Sequence, residues 1–153
     1  MKDNGIVFPE LDGSALKIGI VVARWNNEYT HSIRDGAING LKACSVDANN
    51  IIVQEVPGAY EVVYGAKRLI EDHAVDAVVC VGVLIKGETM HFEYISEAVS
   101  QGIMDLNVHS GIPVVFGVLA CLDDEQAKVR SIGKHNHGVE WGKSAVEMAL
   151  LRK

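Results

Sequence analysis

Apolar and polar positions fall in blocks along the chain. Residues 17–23 are mostly apolar and β-branched, the pattern of a buried strand. Asn26 or Asn27 then stands where a helix cap belongs. Beyond it Ile33, Ala37, Leu41 and Cys44 recur every three or four residues, which predicts a helix. After a polar break at 46–50, residues 51–56 predict a second strand, stopped by Pro57-Gly58. A helix over about 59–73 follows, with Val63, Ala66 and Ile70 on one stripe. Residues 77–83 form the most apolar block, so this third strand is expected to be central. Residues 84–90 read as a loop. A helix is expected over about 90–107, with Ile95, Val99, Gly102 and Leu106 inward. Gly111-Ile112-Pro113 leads into a strand at 114–119. Asp123 with Gln126 has capping-box spacing and starts a helix ending near Gly133; a last helix runs over about 138–151.

Strand and helix thus alternate four times, and the strands are near-continuous apolar runs. Parallel strands covered on both faces give that signature. The expected fold is an α/β three-layer sandwich of flavodoxin-like size, with a four-stranded parallel sheet and right-handed crossovers. The stretch Ile6-Val7-Phe8, before Pro9 and a turn at Asp12-Gly13-Ser14, reads as a lone strand in need of a partner. That partner would be the edge of this sheet or of a neighbouring subunit's. Residues 1–16 are therefore expected as an extended arm and 17–153 as a single domain.

Composition narrows the function. Of 153 residues, 48% are hydrophobic and 22% charged, as in ordinary globular proteins. The formal net charge of -6 disfavours a generic grip on nucleic acid but leaves room for a local anion pocket. The longest apolar run, 77–85, is about half a membrane helix. The acidic start (Asp3, Glu10, Asp12) does not read as a signal peptide. Cys44, Cys80 and Cys121 are odd in number and widely spaced, which argues against a disulfide framework or a zinc pair. A cytoplasmic protein with buried thiols and no membrane partner is expected.

A doubly wound sheet binds ligands beyond the carboxyl ends of its strands. Four places qualify: 24–27, 57–61, 84–91 and 120–123. In the third, Gly87 is expected to turn the backbone tightly. The amides of Gly87, Glu88 and Thr89 then sit at the N-terminus of the helix that this loop opens, where an anion is favoured. The plainer reading is a turn and cap. No phosphate-loop or dinucleotide fingerprint is present. His91, in the first helical turn, could move protons or simply cap. Trp25 could stack on a flat heterocycle or cover the first helix. Glu61, with the free amides at 58–60, could hold a polyol or an amine, or merely favour its helix start. His135 and His137, with Glu140 nearby, lack convincing third and fourth metal ligands. Arg130 could clamp a phosphate or lie on an exposed helix face.

Several blocks together resemble the 6,7-dimethyl-8-ribityllumazine synthase family. They are Ala23-Arg24-Trp25-Asn26, Val56-Pro57-Gly58-Ala59-Tyr60-Glu61, Gly82 through Tyr94, Pro113-Val114-Val115-Phe116-Gly117, Glu125-Gln126-Ala127, and Asn136-His137-Gly138 through Glu147-Met148-Ala149. The resemblance covers nearly the whole chain. Trp25 and His135-Asn136-His137-Gly138 are most similar to fungal-type members.

The resemblance implies a transferase of riboflavin biosynthesis. It would condense 5-amino-6-(D-ribitylamino)uracil with 3,4-dihydroxy-2-butanone 4-phosphate, giving the lumazine, phosphate and water, without metal or organic cofactor. It also implies sites between subunits of a homo-oligomer, at least a pentamer, and an ability to bind riboflavin. Trp25 would stack on the pyrimidine. The Ala59 backbone and Glu61 would hold the ribityl chain. The backbone of Val83, Leu84 and Ile85 would meet the ring's polar edge. Gly87, the Glu88 amide and Thr89 would approach the phosphate, and His91 would serve as acid and base. Phe116, Arg130 and His137 would come from the neighbour, Arg130 as the main phosphate cation. Two positions depart from the family pattern. Residue 88 is often small, so the Glu88 carboxylate must point away from the phosphate. Many members carry Lys where this chain has His137, so a fixed cation becomes titratable. The alternative is a non-catalytic flavin- or lumazine-binding protein, or a structural oligomer, of the same fold. The presence of Glu61, His91 and Arg130 argues against it.

Overall fold

A computed structural model describes residues 5–153 of the chain. The β-branched runs form four strands: β1 (Ile18–Ala23), β2 (Ile51–Val56), β3 (Ala77–Ile85) and β4 (Val114–Cys121). All are parallel, in the order β2-β1-β3-β4. Between and after them lie α1 (Asn27–Ala43), α2 (Val62–His73), α3 (His91–Ser110), α4 (Asp124–Ser131) and α5 (Gly138–Arg152). The expected α/β sandwich is the observed architecture, and the apolar third strand is interior.

Both sheet faces are covered, which is why the strands do not alternate polar and apolar. On one face Ile18, Ile20, Val22, Val79 and Val81 pack with Ile33, Ala37 and Leu41 of α1 and Ala145, Val146 and Ala149 of α5. On the other Val21, Val78, Cys80 and Val118 pack with Val62, Ala66 and Leu69 of α2 and Val99 and Ile103 of α3. Cys44, Cys80 and Cys121 are free and buried; burial pushes the Cys80 thiol up to about 12.

Several boundaries differ from the sequence expectation. β3 runs to Ile85 and β4 to Cys121, because the two strands pair to their ends, Ile85 against Cys121. The ladder between β1 and β3 stops earlier, at Val22 and Val81. The second helix is preceded by a separate 3-10 turn, Ala59–Glu61. Asn26 does not cap α1 with its side chain; it adopts a left-handed conformation, and its amide bonds elsewhere. Asp123 does cap α4, accepting from the Gln126 N–H at 2.8 Å. Gln126 reaches back to the Leu122 N–H, one residue earlier than a reciprocal capping box requires. Residues 5–13 make no strand within the chain, and Ile6 and Val7 are 62% and 90% exposed. Residues 1–4 of the expected arm lie outside the described residues. Among the described residues no helix is long and apolar enough to cross a membrane.

Candidate active site

The carboxyl ends of β1, β2 and β3 open into one cleft of about 820 Å³. Trp25, Ala59, Glu61, Val83, Leu84, Ile85, Gly87, Thr89 and His91 all line it. Nine of the sequence-selected residues, spread from Trp25 to His91, therefore meet in one place.

Each edge has a local cause. At the β1 exit the Arg24 and Trp25 N–H groups donate to the Val56 and Pro57 carbonyls at 2.9 and 3.0 Å, which leads the chain across the top of β2. At the β2 exit Pro57-Gly58 breaks the strand, and the following 3-10 turn leaves Ala59 buried and Glu61 half-buried at the cleft wall. At the β3 exit, Val83 to Ile85 outrun the β1 ladder while β4 still covers their other side. A parallel strand without a neighbour on one side leaves backbone donors and acceptors uncommitted there. The Asn26 side-chain amide takes the Val83 carbonyl at 2.8 Å, and the other groups on that side face the space past the end of β1.

The next loop is anchored at three points. The Lys86 N–H donates to the Cys121 carbonyl at 2.9 Å. The Lys86 ammonium pairs with Glu93 at 2.5 Å, holding that carboxyl below the usual carboxylate range. The Thr89 hydroxyl accepts the His91 N–H at 3.3 Å, at the start of α3. α3 begins at His91, so Gly87, Glu88 and Thr89 approach the helix rather than open it. Gly87 also differs from expectation. Its φ is not positive, so no tight turn demands glycine. A β-carbon there would meet nothing in the chain, and the position lines the cleft. The missing side chain leaves the cleft floor open. Glu88 is exposed and does not line the cleft.

Phe116, Arg130 and His137 lie outside this cleft. Phe116, 44% exposed, sits on edge strand β4, on the sheet face it shares with Val114 and Val118. Arg130 is in the last turn of α4, and its guanidinium donates to the Gln126 carbonyl at 2.9 Å. The His137 N–H donates to the Arg130 carbonyl at 2.9 Å, and its ring stands edge-on to Trp141 with centroids 5.7 Å apart. Burial pushes the His137 imidazole below its ordinary value; the Arg130 and His135 charges add to this and Glu140 opposes it. Among the described residues no three His, Cys, Asp or Glu side chains converge as a metal requires.

The sequence reading passed over further cleft residues: Asn26, noticed only as a cap, and Tyr60, Phe92, Tyr94, Ile95 and Ala98. Tyr60, Phe92 and Tyr94 lie within the motif blocks, which are the signal that marks them. Ala98 carries no signal of its own.

The fold and cleft define an α/β enzyme class that works at the open carboxyl edge of a parallel sheet. Residues 15–153 match the model of the family described as 6,7-dimethyl-8-ribityllumazine synthase. Proteins of that name from Porphyromonas gingivalis and Schizosaccharomyces pombe are each 46% identical to the chain, covering 92% of it and 88% and 91% of their own lengths. One from Pyricularia oryzae is 40% identical, covering the whole chain and 96% of its own length. The chain belongs to the 6,7-dimethyl-8-ribityllumazine synthase family, and synthesis of the lumazine is the activity that membership assigns to it. A bacterial and a fungal relative match at equal identity, so overall identity does not favour the fungal type.

Proposed function

We propose that this cleft holds 5-amino-6-(D-ribitylamino)uracil and 3,4-dihydroxy-2-butanone 4-phosphate side by side. One observation carries the reading: nine residues chosen for complementary tasks line one cleft, while Arg130 and His137 stand together elsewhere. The site is then complete only when a second copy brings Phe116, Arg130 and His137 to the cleft of the first. Trp25 stacks on the pyrimidine. The Val83–Ile85 backbone, beyond the end of the β1 ladder and joined there by Asn26 at the Val83 carbonyl, meets the ring's polar edge. Ala59 and Glu61 hold the ribityl chain. Gly87, the Glu88 amide and Thr89 receive the phosphate, which the neighbour's Arg130 and His137 cover. Gly87 supports this by leaving space there, and Glu88 by lying clear of the cleft.

The steps need little beyond alignment. The pyrimidine amine attacks the ketone carbonyl, and water leaves. The neighbouring C–H proton is lost as the phosphate departs with its bonding electrons, the resulting enol becomes a ketone, and the second nitrogen attacks that carbonyl and expels a second water as the ring closes. His91 takes and returns the protons, being the one histidine that lines the cleft among the described residues. Arginine stabilises the charge on the leaving phosphate. Holding both substrates in register supplies much of the remaining rate.

The assembly is a homo-oligomer of at least five copies, in which residues 5–9 of the 1–16 arm leave the 17–153 domain and join a neighbour's sheet. The exposure of Ile6 and Val7 supports that role, as does the open edge of β2. The same stacking site takes riboflavin, another flat ring with a ribityl chain. Three free buried thiols fit the cytoplasm. The test is incubation of the pure protein with both substrates, following lumazine absorbance and phosphate release. Both should appear together, faster than in the protein-free mixture. No acceleration would refute the reading.

A further inference from the structure

Trp25 stands where packing does little to hold it. It is 75% exposed, and it lines both the cleft and a smaller hollow of about 350 Å³ formed with Arg24, Asn27, Tyr29 and Asp124. An indole with open space on two sides takes its position from its backbone. That backbone is tied on the β2 side by the Trp25 N–H on the Pro57 carbonyl, at 3.0 Å. On the β3 side the tie is the next residue's side chain: Asn26 Nδ2 donates to the Val83 carbonyl at 2.8 Å. A carbonyl only accepts, so the amide nitrogen must face Val83 and the side chain has one orientation. Asn26 itself sits at φ 62, ψ 43, a conformation that asparagine tolerates better than most residues. Since the β1–β3 ladder ends at Val22 and Val81, Asn26 satisfies an acceptor on β3 that the ladder no longer reaches.

We propose that Asn26 is a positioning residue for the ring half of the site. It locks the β1 exit to the free edge of β3, so that Trp25 is held against the backbone strip at Val83–Ile85. This rests on the placement of the pyrimidine proposed above. The phosphate half is anchored separately, through Lys86 to Cys121 and Glu93 and through Thr89 to His91. Loss of the Asn26 clamp is therefore felt by the ring ligand and not by the ketone phosphate.

Asn26→Gly keeps the left-handed backbone and removes the clamp. Asn26→Asp keeps the size but turns a carboxylate toward the Val83 carbonyl. Both are made in a Trp141→Phe background, which leaves Trp25 the only tryptophan of the two in the chain. Emission anisotropy of Trp25 in ligand-free protein should fall in both variants. Affinity for the lumazine product and the uracil substrate should drop roughly 3- to 10-fold for Gly, as for one lost hydrogen bond, and further for Asp. The KM for the ketone phosphate should stay at the parent value. Unchanged anisotropy and ring affinity in both variants would overturn the proposal. An equal loss for both substrates would also overturn it, because that pattern marks general damage to the fold. If anisotropy fell but the parent itself bound no ring ligand, the clamp would be supported and the placement of the ring in this cleft refuted.

Discussion

Arg130 and His91 differ in what their side chains can do, and their loss should differ accordingly. Arg130 is a permanent cation with a forked donor geometry, and its guanidinium donates to the Gln126 backbone carbonyl. Arg130→Ala should raise the KM for the ketone phosphate about 10- to 100-fold, the worth of a charge-assisted hydrogen bond, and leave uracil binding near the parent value. His91→Ala should lower kcat toward the low end of the roughly 10²–10⁴-fold range for general acid–base groups, since the substrate amines and water also move protons. Steady-state kinetics with both substrates varied, beside direct uracil binding, checks both. A His91→Ala variant at the parent rate across neutral pH would contradict the assignment. His137 bears on acid stability. Its folded-state pKa lies below its unfolded-state value of about 6.5. The stability from neutral His137 is therefore fully present above that value and is lost as pH falls through the lower folded-state pKa. Urea midpoints measured from neutral pH downward should decline less in His137→Gln than in the parent.

At the scale of elements, α1 and α5 meet backbone to backbone. A β-carbon on Gly40 would fall on the Val139 carbonyl, and one on Gly142 on the Ala37 carbonyl. On an exposed helix Gly→Ala gains up to about 1 kcal/mol in propensity. Here the sign should reverse: Gly40→Ala should cost about 1–3 kcal/mol or more, because backbone cannot move aside as a flexible side chain can. Chemical denaturation measures this, and a raised midpoint would contradict it. The docking of α3 depends on a polar device instead. Asn107 donates to the Ile103 and Val114 carbonyls and accepts the Val114 N–H, fixing the end of α3 to the start of β4. That device carries the helix through Ser110, three residues beyond its expected end.

Over the whole molecule, exposed apolar side chains gather along α3 and its entrance: Met90, Tyr94, Met104 and Val108, besides Ile6 and Val7 of the arm. Scattered apolar residues need no explanation, but such a concentration beside the cleft supports the proposed burial between copies. Sedimentation at micromolar concentration should give a single species of at least five chains. A stable monomer would refute both the shared site and the arm exchange. Removing residues 1–9 should weaken assembly and leave the far-ultraviolet circular dichroism of the fold unchanged, since residues 5–13 add no strand within the chain.

The alternation of strands and helices, the burial of both sheet faces and the loops that line the cleft were legible in the sequence. Each follows from residues near one another along the chain: Ile18 to Ala23 read as a buried strand whatever lies beside it. Residue types also marked Trp25, Glu61 and His91. The tertiary structure alone decided what depends on strand order and register. It fixed how far β3 outruns β1, and so which backbone groups Val83–Ile85 leave open. It gave Asn26 a partner 57 residues away instead of the helix end beside it, and gave Gly87 a cleft to leave open instead of a turn to make. It also kept Arg130 and His137 out of the cleft. Periodicity reports which way a side chain faces; its partner across the fold is set by the register of strands that no local pattern contains.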